Sequence, residues 1–398
     1  MLDRTKVMAA LEQKRDEFLS YQAAQSRELD KIETKLEEFC ALSYVDIQTR
    51  LQHLGEAWPG AIPTPELDTA DKFRLAFPNQ WQSHAEARTW ALTVVAGKPT
   101  AAVDGSQFLP TKEYGLPVAA VQIGWFINPH RVGVPYEKNL SFEIVAPSEL
   151  ALAEQGDADT ANWLINQRRF EAECRKLIEL MHQFAELPDE DRPLCYFDGS
   201  FVVSFAGTLR HERAHRYLQA VAELLAVSAR LRVPVVAFVD SSASKDLVTL
   251  VNIVTGPEYM SLTDGQLLEE CLTTWGDRTP MFECARRDLL STSDRAGFYR
   301  DVYFSYVRLG TDRPPARIEV PRWLYEEGRA GWVIDMVCAE CIAGARGYPY
   351  AAETADAVAV LQQADRERFY AILQQFAERE GLNFAPSRKS RSKQIRRA

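Results

Sequence analysis

The feature that most constrains the fold of this chain is a short hydrophobic strand that ends in an acid and occurs twice. One copy runs Thr-Ala-Ala-Val-Asp104-Gly-Ser, and the other runs Leu-Cys-Tyr-Phe-Asp198-Gly-Ser. An ionised carboxylate beside a buried apolar run is unfavourable unless it has a partner or a metal ion. With an acid-bearing helix between the two copies, the pattern predicts that separate elements bring carboxylates together. A site where divalent cations act on a phosphodiester requires such an arrangement.

Composition limits the classes of protein to which the chain can belong. Its 398 residues are 46% hydrophobic, enough to bury the core of one large domain or of two. There is no run of about 18 apolar residues and no apolar signal region at the start, so neither a membrane span nor export is expected. Seven scattered cysteines indicate reduced thiols in a cytoplasm. The net charge of -10 is unlike that of basic nucleic-acid-binding domains, but a metal-loaded cleft can be locally positive.

The middle of the chain has a regular order of strands and helices. The hydrophobic patterns predict strands at 100–104, 118–127 and 141–145, a helix at 159–185, a strand at 194–205, a helix at 209–229 and a strand at 233–239. This is the order of the ribonuclease H-like fold, so we expect an α/β protein with a mixed sheet flanked by helices. Acids on the first strand, first helix and fourth strand form the metal site of that fold. Here those elements carry Asp104, an acid of the helix, and Asp198.

The flanking segments complete the predicted organisation. Residues 1–95 are expected to form a helical N-terminal arm, residues 96–385 the main domain, and residues 386–398 a disordered basic tail. Within the main domain, 298–309 and 316–320 are predicted strands, and 332–345 and 352–378 are predicted helices. The tail holds six basic residues, so a loose contact to a nucleic-acid backbone is the alternative to a purely solvated end.

Four sequence pieces, taken in order, resemble the NurA nucleases over about residues 95 to 360. The pieces are Ala-Val-Asp104-Gly-Ser, Ile-Asn-Gln-Arg-Arg at 165–169 leading into Glu173, Phe-Asp198-Gly-Ser, and Gly-Tyr348-Pro-Tyr followed by Glu-Thr-Ala-Asp356. Asp-Gly-Ser turns are common, so the resemblance depends on the order of the pieces and on the elements that carry them. It implies that Asp104, Glu173 and Asp198 hold the metal and that Tyr348 lies near the site.

Two positions leave the implied ligand set open. The family's usual last ligand is a histidine eight residues beyond the tyrosine, and this chain has Asp356 there. An Asp still suits Mn²⁺ or Mg²⁺, of which two ions are expected, because both cations take oxygen ligands. The second position is Glu171, an alternative to Glu173, since residues two apart point to different sides of a helix. Spacing to the family motif favours Glu173.

The resemblance also implies an activity and partners. It implies a metal-dependent single-strand endonuclease and 5′-to-3′ exonuclease, acting on DNA in double-strand-break end resection. A homodimer docked on a hexameric HerA-like ATPase is implied in the same way, and the expected location is the cytoplasm. Lys245 follows the fifth predicted strand, where it is either a contact to a DNA phosphate or a plain surface lysine. A catalytically weakened relative that serves as a DNA-binding or adaptor subunit is the alternative, because of Asp356.

Two short motifs suggest other chemistry. His211-Glu-Arg-Ala-His215 matches the H-E-x-x-H signature of zinc metalloproteases. No histidine follows His215 and no glutamate lies between 224 and 257, so a third zinc ligand is lacking and the protease is the second alternative. Cys338-Ala-Glu-Cys341 has no second pair at the spacing of a zinc site, and we expect buried thiols there.

Overall fold

The computed structural model describes residues 2–55, 58–110, 116–154, 160–287, 290, 297–344 and 347–382. It has two compact units, and each unit combines two stretches of the chain. The first unit is Met1–Gln82 with Phe238–Tyr325, and the second is Ser83–Ala237 with Glu326–Ala398. The predicted division at residues 95 and 385 stays a prediction, and the predicted tail at 386–398 lies outside the described residues.

The strands and helices alternate through both units. The strands are β1 (Gly60–Pro63), β2 (Thr100–Phe108), β3 (Ala119–Asn128), β4 (Glu137–Val145), β5 (Leu194–Asp198), β6 (Val235–Val239), β7 (Phe282–Ala285), β8 (Val302–Val307) and β9 (Ala316–Pro321). The helices are α1 (Arg4–Gln13), α2 (Arg15–Cys40), α3 (Tyr44–Leu54), α4 (His84–Val95), α5 (Pro147–Glu154), α6 (Thr160–Phe184), α7 (His211–Leu231), α8 (Asp246–Thr255), α9 (Asp264–Leu268), α10 (Arg322–Glu326), α11 (Ala330–Ala343), α12 (Tyr350–Ala359) and α13 (Gln363–Arg379).

In the first unit, three helices precede a small antiparallel sheet. Helix α3 begins with a capping box between Ser43 and Asp46 and ends at Gly55, whose backbone is left-handed. The strand order is β1-β7-β8-β9, and neighbouring strands are antiparallel. The predicted strand at 298–309 is wrong at its start, because a single 3₁₀ turn at Phe298–Asp301 precedes β8.

In the second unit, a mixed sheet has the strand order β5-β2-β3-β4. Strands β2, β3 and β4 are antiparallel neighbours, whereas β5 runs parallel to β2. Helices α6 and α12 both pack on β2 and β3. A mixed sheet flanked by helices, built as three strands, a helix, a parallel strand and a helix, confirms the predicted ribonuclease H-like class. Strand β6 spans the boundary between the two units.

Two glycines show that α6 and α12 lie on opposite faces of this sheet. A Cβ at Gly124 of β3 would lie 2.7 Å from the backbone nitrogen of Ala359 in α12. A Cβ at Gly105 of β2 would lie 2.8 Å from Cγ of Arg169 in α6. Gly124 is the cross-strand partner of Asp104, and side chains alternate between faces, so Asp104 shares the α12 face while Gly105 shares the α6 face.

Four predicted elements of this unit have the wrong length. The predicted strands at 100–104 and 141–145 are each four residues too short, because β2 continues to Phe108 and β4 begins at Glu137. The predicted strand at 194–205 stops at Asp198, because Gly199 turns the chain with a φ of +138° that suits glycine. The predicted helix at 352–378 is two helices, α12 and α13, with a break at 360–362. In the described part of the chain, no helix has both the length and the apolar character needed to cross a membrane.

Candidate active site

Two acids meet where parallel strands β2 and β5 lie side by side. The register pairs Val103 with Phe197, so Asp104 and Asp198 are the next residues on neighbouring parallel strands. Strand β5 ends at Asp198, whereas β2 continues to Phe108. Asp104 is half-buried and Asp198 is exposed. The repeated strand-and-acid pattern of the sequence therefore becomes a pair of carboxyl groups at one place in the sheet.

Helix α12 reaches the same place because the sheet beneath it lacks a side chain at Gly124. The side-chain amide of Gln122 donates to the carbonyl oxygen of Ala359 at 3.0 Å and fixes the last turn of the helix. The hydroxyl oxygen of Ser106 accepts a hydrogen bond from the backbone nitrogen of Leu361 at 3.2 Å. These two bonds satisfy backbone groups at a helix end and hold α12 on β2 and β3.

The side chain of Asp356, in α12, forms a hydrogen bond with the side chain of Asp104. A bond between two carboxyl groups needs a proton on one of them. Burial raises the pKa of Asp104 to about 6; the backbone N–H of Gly105 opposes the rise, and the charges of Asp198 and Asp356 add to it. Burial and like-charged neighbours therefore both work against ionisation of Asp104.

The fourth acid comes from α6 and reaches the sheet through the space left by Gly105. A Cβ at Gly105 would lie 2.5 Å from Oε1 of Glu173, and the Glu173 side chain is only 9% exposed. Burial raises the pKa of Glu173 to about 8; the nearby Arg169 opposes the rise, and Asp104 and Asp198 add to it. Oε1 of Glu173 is shielded from solvent and has no hydrogen-bond partner among the described residues.

Arg169 connects this glutamate to the strand. Its Nη1 lies 3.4 Å from Oε1 of Glu173 and donates to the carbonyl oxygen of Gly105 at 2.9 Å. Glu171 is engaged elsewhere, since it accepts a hydrogen bond from Gln167 one turn earlier in the same helix. The structure thus brings Glu173 to the acid cluster, which we define as Asp104, Glu173, Asp198 and Asp356.

Tyr348 lies at the cluster, as the resemblance implies. Its hydroxyl donates a hydrogen bond to Oδ1 of Asp198. Lys245 belongs to the first unit, where it precedes α8, and its contact to a phosphate stays a prediction. The structure therefore brings together five of the six predicted site residues, all of them in the second unit.

The cluster fits a divalent cation in its chemistry. All four acids offer oxygen, the donor that Mg²⁺ and Mn²⁺ prefer. The buried Oε1 of Glu173 has no hydrogen-bond partner among the described residues, and the pKa of Asp104 is raised; a bound cation would relieve both. As the side chains lie, however, no group of three or more His, Cys, Asp or Glu residues in the described ranges forms a site that could hold a metal ion.

The two competing motifs take ordinary structural positions. His211 is exposed and His215 is half-buried on α7, with ring centroids 6.1 Å apart. The described residues supply no third zinc ligand to them. Cys338 and Cys341 are buried in α11, as expected for structural thiols.

Comparison with known proteins places the chain among nucleases. A family model described as the NurA domain matches residues 98–361. The chain belongs to the NurA family. This confirms the family predicted from the four sequence pieces and supports a nuclease function. No curated protein sequence matches the chain.

Several solved structures match the chain at low identity. The NurA nuclease from Sulfolobus solfataricus is 13% identical, with a TM-score of 0.44 over 71% of this chain and 85% of that one. A NurA structure with manganese is 10% identical, with a TM-score of 0.40 over 70% and 90%. Endonuclease V from Ciona intestinalis, in complex with inosine-containing DNA, is 11% identical, with a TM-score of 0.31 over 72% and 97%.

Sequence analysis missed the residues that position the acids. Gly124 interrupts a β-branched and aromatic strand, and a glycine there is a signal of close backbone approach. Arg169 stands four residues before Glu173, a spacing that brings two helical side chains together. Gln122 and Ser106 carried no comparable signal, because their partners lie more than 200 residues away in sequence.

Proposed function

We propose that this NurA-family chain is a divalent-metal-dependent deoxyribonuclease, acting as a single-strand endonuclease and 5′-to-3′ exonuclease. The observation that carries the proposal is the convergence of four carboxyl groups from four elements, β2, α6, β5 and α12, at one place in a sheet. Such a cluster is unfavourable on its own, because burial and like charge raise the pKa of Asp104 and of Glu173. Family membership and this cluster support the same activity.

The four acids are the proposed metal ligands, and they have different roles. Asp104 and Asp198 are the proposed shared metal ligands, and Glu173 and Asp356 complete the set. Bound Mn²⁺ or Mg²⁺ ions, two in our proposal, would activate water, neutralise the phosphate and stabilise the leaving alkoxide. Bound cations would favour the ionised form of Asp104, whose pKa is raised without them.

Two neighbouring side chains orient these acids. Tyr348 holds the carboxylate of Asp198 through its hydroxyl, and the guanidinium of Arg169 lies beside Glu173. Groups that fix ligands in this way normally determine how well a metal site forms. In our proposal both are positioning residues, which act through the acids.

Family membership also supports a partnership. We infer a homodimer that works on a hexameric HerA-like ATPase during DNA end resection in the cytoplasm. Lys245 is the candidate contact to a DNA phosphate. A pull-down of the purified chain with a HerA-like ATPase tests the partnership separately from cleavage.

Cleavage of end-labelled single-stranded DNA tests the proposal, with Mn²⁺ or Mg²⁺ present and with EDTA as the control. The full chain should cleave with metal and not with EDTA. Asp104→Asn and Asp198→Asn should each lower the rate at least about 100-fold, since each removes a metal ligand. Both variants should melt at the parental temperature or slightly above it without metal, because each change relieves like-charge repulsion. Full activity in either variant would overturn the metal-site assignment.

Asp356 favours a second candidate, a DNA-binding subunit with weakened turnover. The family's usual histidine is replaced at this position, so proton transfer by an imidazole is absent there. A chain that binds single-stranded DNA but leaves it intact with each metal would support the second candidate over the first.

A further inference from the structure

An aromatic pocket of about 530 Å³ lies in the second unit next to the acid cluster. This aromatic pocket is lined by Trp163, Asn166, Arg169 and Phe170 of α6, Phe205 of a 3₁₀ turn, and Tyr217 of α7. Its volume falls in the range of small-molecule sites, about 300–1,000 Å³. Only Arg169 among these residues has a place in the proposed cleavage site.

The aromatic rings of the pocket contact one another, and one of them, Phe205, is exposed to solvent. The ring of Tyr217 lies edge-on to Phe170 and to Phe205, with centroids 5.0 Å apart in both cases. Phe205 is 49% exposed, although Tyr217 and the neighbouring Ala206 are buried. A large apolar ring at the mouth of a pocket offers a flat face to a ligand with a ring of its own.

Trp163 adds a donor that has no acceptor among the described residues. Its indole nitrogen is shielded from solvent and has no hydrogen-bond partner in the described chain, and the same holds for Nε of Arg169. Buried indole N–H groups usually have an acceptor. The guanidinium of Arg213 lies 4.4 Å from the centroid of the indole, a cation–π distance. The pocket therefore combines ring surfaces with donors that have no acceptor in the described part of the chain.

The surroundings of the pocket carry positive charge in an acidic protein. The start of α7, residues 210–216, holds three arginines and two histidines against the single acid Glu212, whereas the whole chain has a net charge of -10. Clustered arginines beside a groove are typical of a surface that follows a nucleic-acid backbone. The charge therefore favours an anionic polymer over an uncharged ligand.

Two side chains connect the pocket to the acid cluster. Arg169 lines the pocket and also lies 3.4 Å from Glu173. Asn166 lines the pocket and accepts a hydrogen bond from Gln107 at 2.9 Å. Gln107 stands three residues beyond Asp104 on β2, a separation of roughly 10 Å at 3.3 Å per residue. That separation matches one or two nucleotides of an extended strand.

We propose that the aromatic pocket holds one unstacked base of single-stranded DNA, next to the phosphate that the acid cluster would cleave. The proposal rests on the proposed nuclease function and names a subsite of the same site. Aromatic faces accept every base, so the subsite selects single strands over duplexes without reading sequence. A base in a duplex would first have to leave its stack, which costs free energy.

Binding in EDTA tests this subsite without any contribution from cleavage. The affinity of the full chain for a fluorescent oligothymidylate is compared with that of Phe205→Ala and Trp163→Leu. Each variant should bind about ten-fold more weakly, which is the usual effect of removing one base-stacking ring. Phe376→Ala, at a phenylalanine of similar exposure (45%) on α13, is the matched control and should bind like the parent.

A chain of the same length that lacks bases distinguishes base stacking from backbone contact. The parent should bind this abasic chain more weakly than oligothymidylate, and Phe205→Ala should show a smaller difference between the two. Equal losses for both chains in Phe205→Ala would overturn the proposal, and so would parental affinity for oligothymidylate in both pocket variants. Because Phe205 is exposed, its variant should keep the parental melting temperature even if Trp163→Leu does not fold.

Cleavage by the parent distinguishes a failure of the proposed base subsite from a failure of the proposed nuclease function. If the parent cleaves DNA with Mn²⁺ while the pocket variants bind normally, the subsite is wrong and the nuclease function stands. If the parent does not cleave but the variants lose binding in the expected way, the base pocket stands and the nuclease function fails.

Discussion

The hydroxyl of Tyr348 donates a hydrogen bond to Oδ1 of Asp198 and thereby joins the start of α12 to the end of β5. The segment that carries Tyr348 is held closely, because a Cβ at Gly344 would lie 2.0 Å from the carbonyl oxygen of Tyr348. Asp356 follows on the same helix and contacts Asp104. The nine residues from Tyr348 to Asp356 therefore orient one acid and supply another.

Removing the Tyr348 hydroxyl should weaken the metal site without disturbing the fold. Tyr348→Phe removes one bond that orients the carboxylate of Asp198, and loss of such a bond costs about 10-fold to 100-fold in activity or metal affinity. We expect the Mn²⁺ concentration for half-maximal cleavage to rise by a similar factor. Tyr350→Phe is the matched control, because its ring packs on Phe126 at 5.7 Å. A parental metal requirement in Tyr348→Phe would contradict the positioning role.

The buried Glu173 should make the metal-free protein less stable as pH rises. Its pKa in the folded chain is raised to about 8, chiefly by burial, whereas an unfolded Glu titrates near 4.3. Between these values the folded state holds a proton that the unfolded state has lost. The free energy of unfolding should therefore fall by up to about 1.4 kcal/mol per pH unit, most steeply between pH 5.5 and 7.5.

Denaturant unfolding in EDTA across this pH range measures the effect. Glu173→Gln should remove that part of the slope, since glutamine does not titrate, while Glu171→Gln should keep it because Glu171 is only half-buried on the helix surface. Identical slopes in the parent and in Glu173→Gln would show that Glu173 is already ionised in the folded chain.

A substitution of Asp356 tests the one position at which the chain differs from the ligand set that the resemblance implies. Asp356→His introduces the ligand type that the resemblance to the family implies, and we expect cleavage with Mn²⁺ within about ten-fold of the parental rate, because imidazole also binds that class of metal. Cleavage with Mg²⁺ should fall further, since Mg²⁺ favours oxygen ligands. Asp356→Ala should lose activity with both metals. If Asp356→Ala cleaves at the parental rate, Asp356 is an ordinary surface acid of α12.

Local patterns in the sequence predicted the parts of the fold that depend on local physics. Continuous apolar runs located β2 and β3, and helical spacing located α6 and α7, although β2 continues four residues beyond its predicted end. Asp104 and Asp198 were visible for the same reason, since each follows a short apolar run. The break between α12 and α13 was not, because it contains no glycine or proline and Leu361 finds its partner in Ser106, 255 residues away.

The sequence allowed the acids of the site to be predicted, but not their placement. Their residue types and order are local, whereas their placement depends on glycines that let helices approach the sheet. The missing side chain at Gly105 leaves space for Glu173, and the missing side chain at Gly124 leaves space for α12. In the sequence alone, each glycine only indicates a less stable position in a strand. The aromatic pocket is another such case, since Trp163, Phe205 and Tyr217 come from three separate elements.

Gly124→Ala should test whether the close approach of α12 determines the position of Asp356. The added Cβ would lie 2.7 Å from the backbone nitrogen of Ala359 and 3.0 Å from its Cα, so the helix has to shift. Overpacking of this kind costs about 1–3 kcal/mol, measured as a fall in the free energy of unfolding. Gly331→Ala is the control, because a Cβ there meets nothing within 4 Å.

The activity of Gly124→Ala decides what the shift means for the site. Moving α12 carries Asp356 away from Asp104, and a misplacement of about 1 Å can cost roughly 100-fold in rate. Cleavage by Gly124→Ala should therefore fall even at temperatures where the variant is fully folded, whereas Gly331→Ala should cleave at the parental rate. If Gly124→Ala is folded and cleaves normally, a shift of α12 away from the sheet does not affect cleavage. Asp356 would then not complete the metal site.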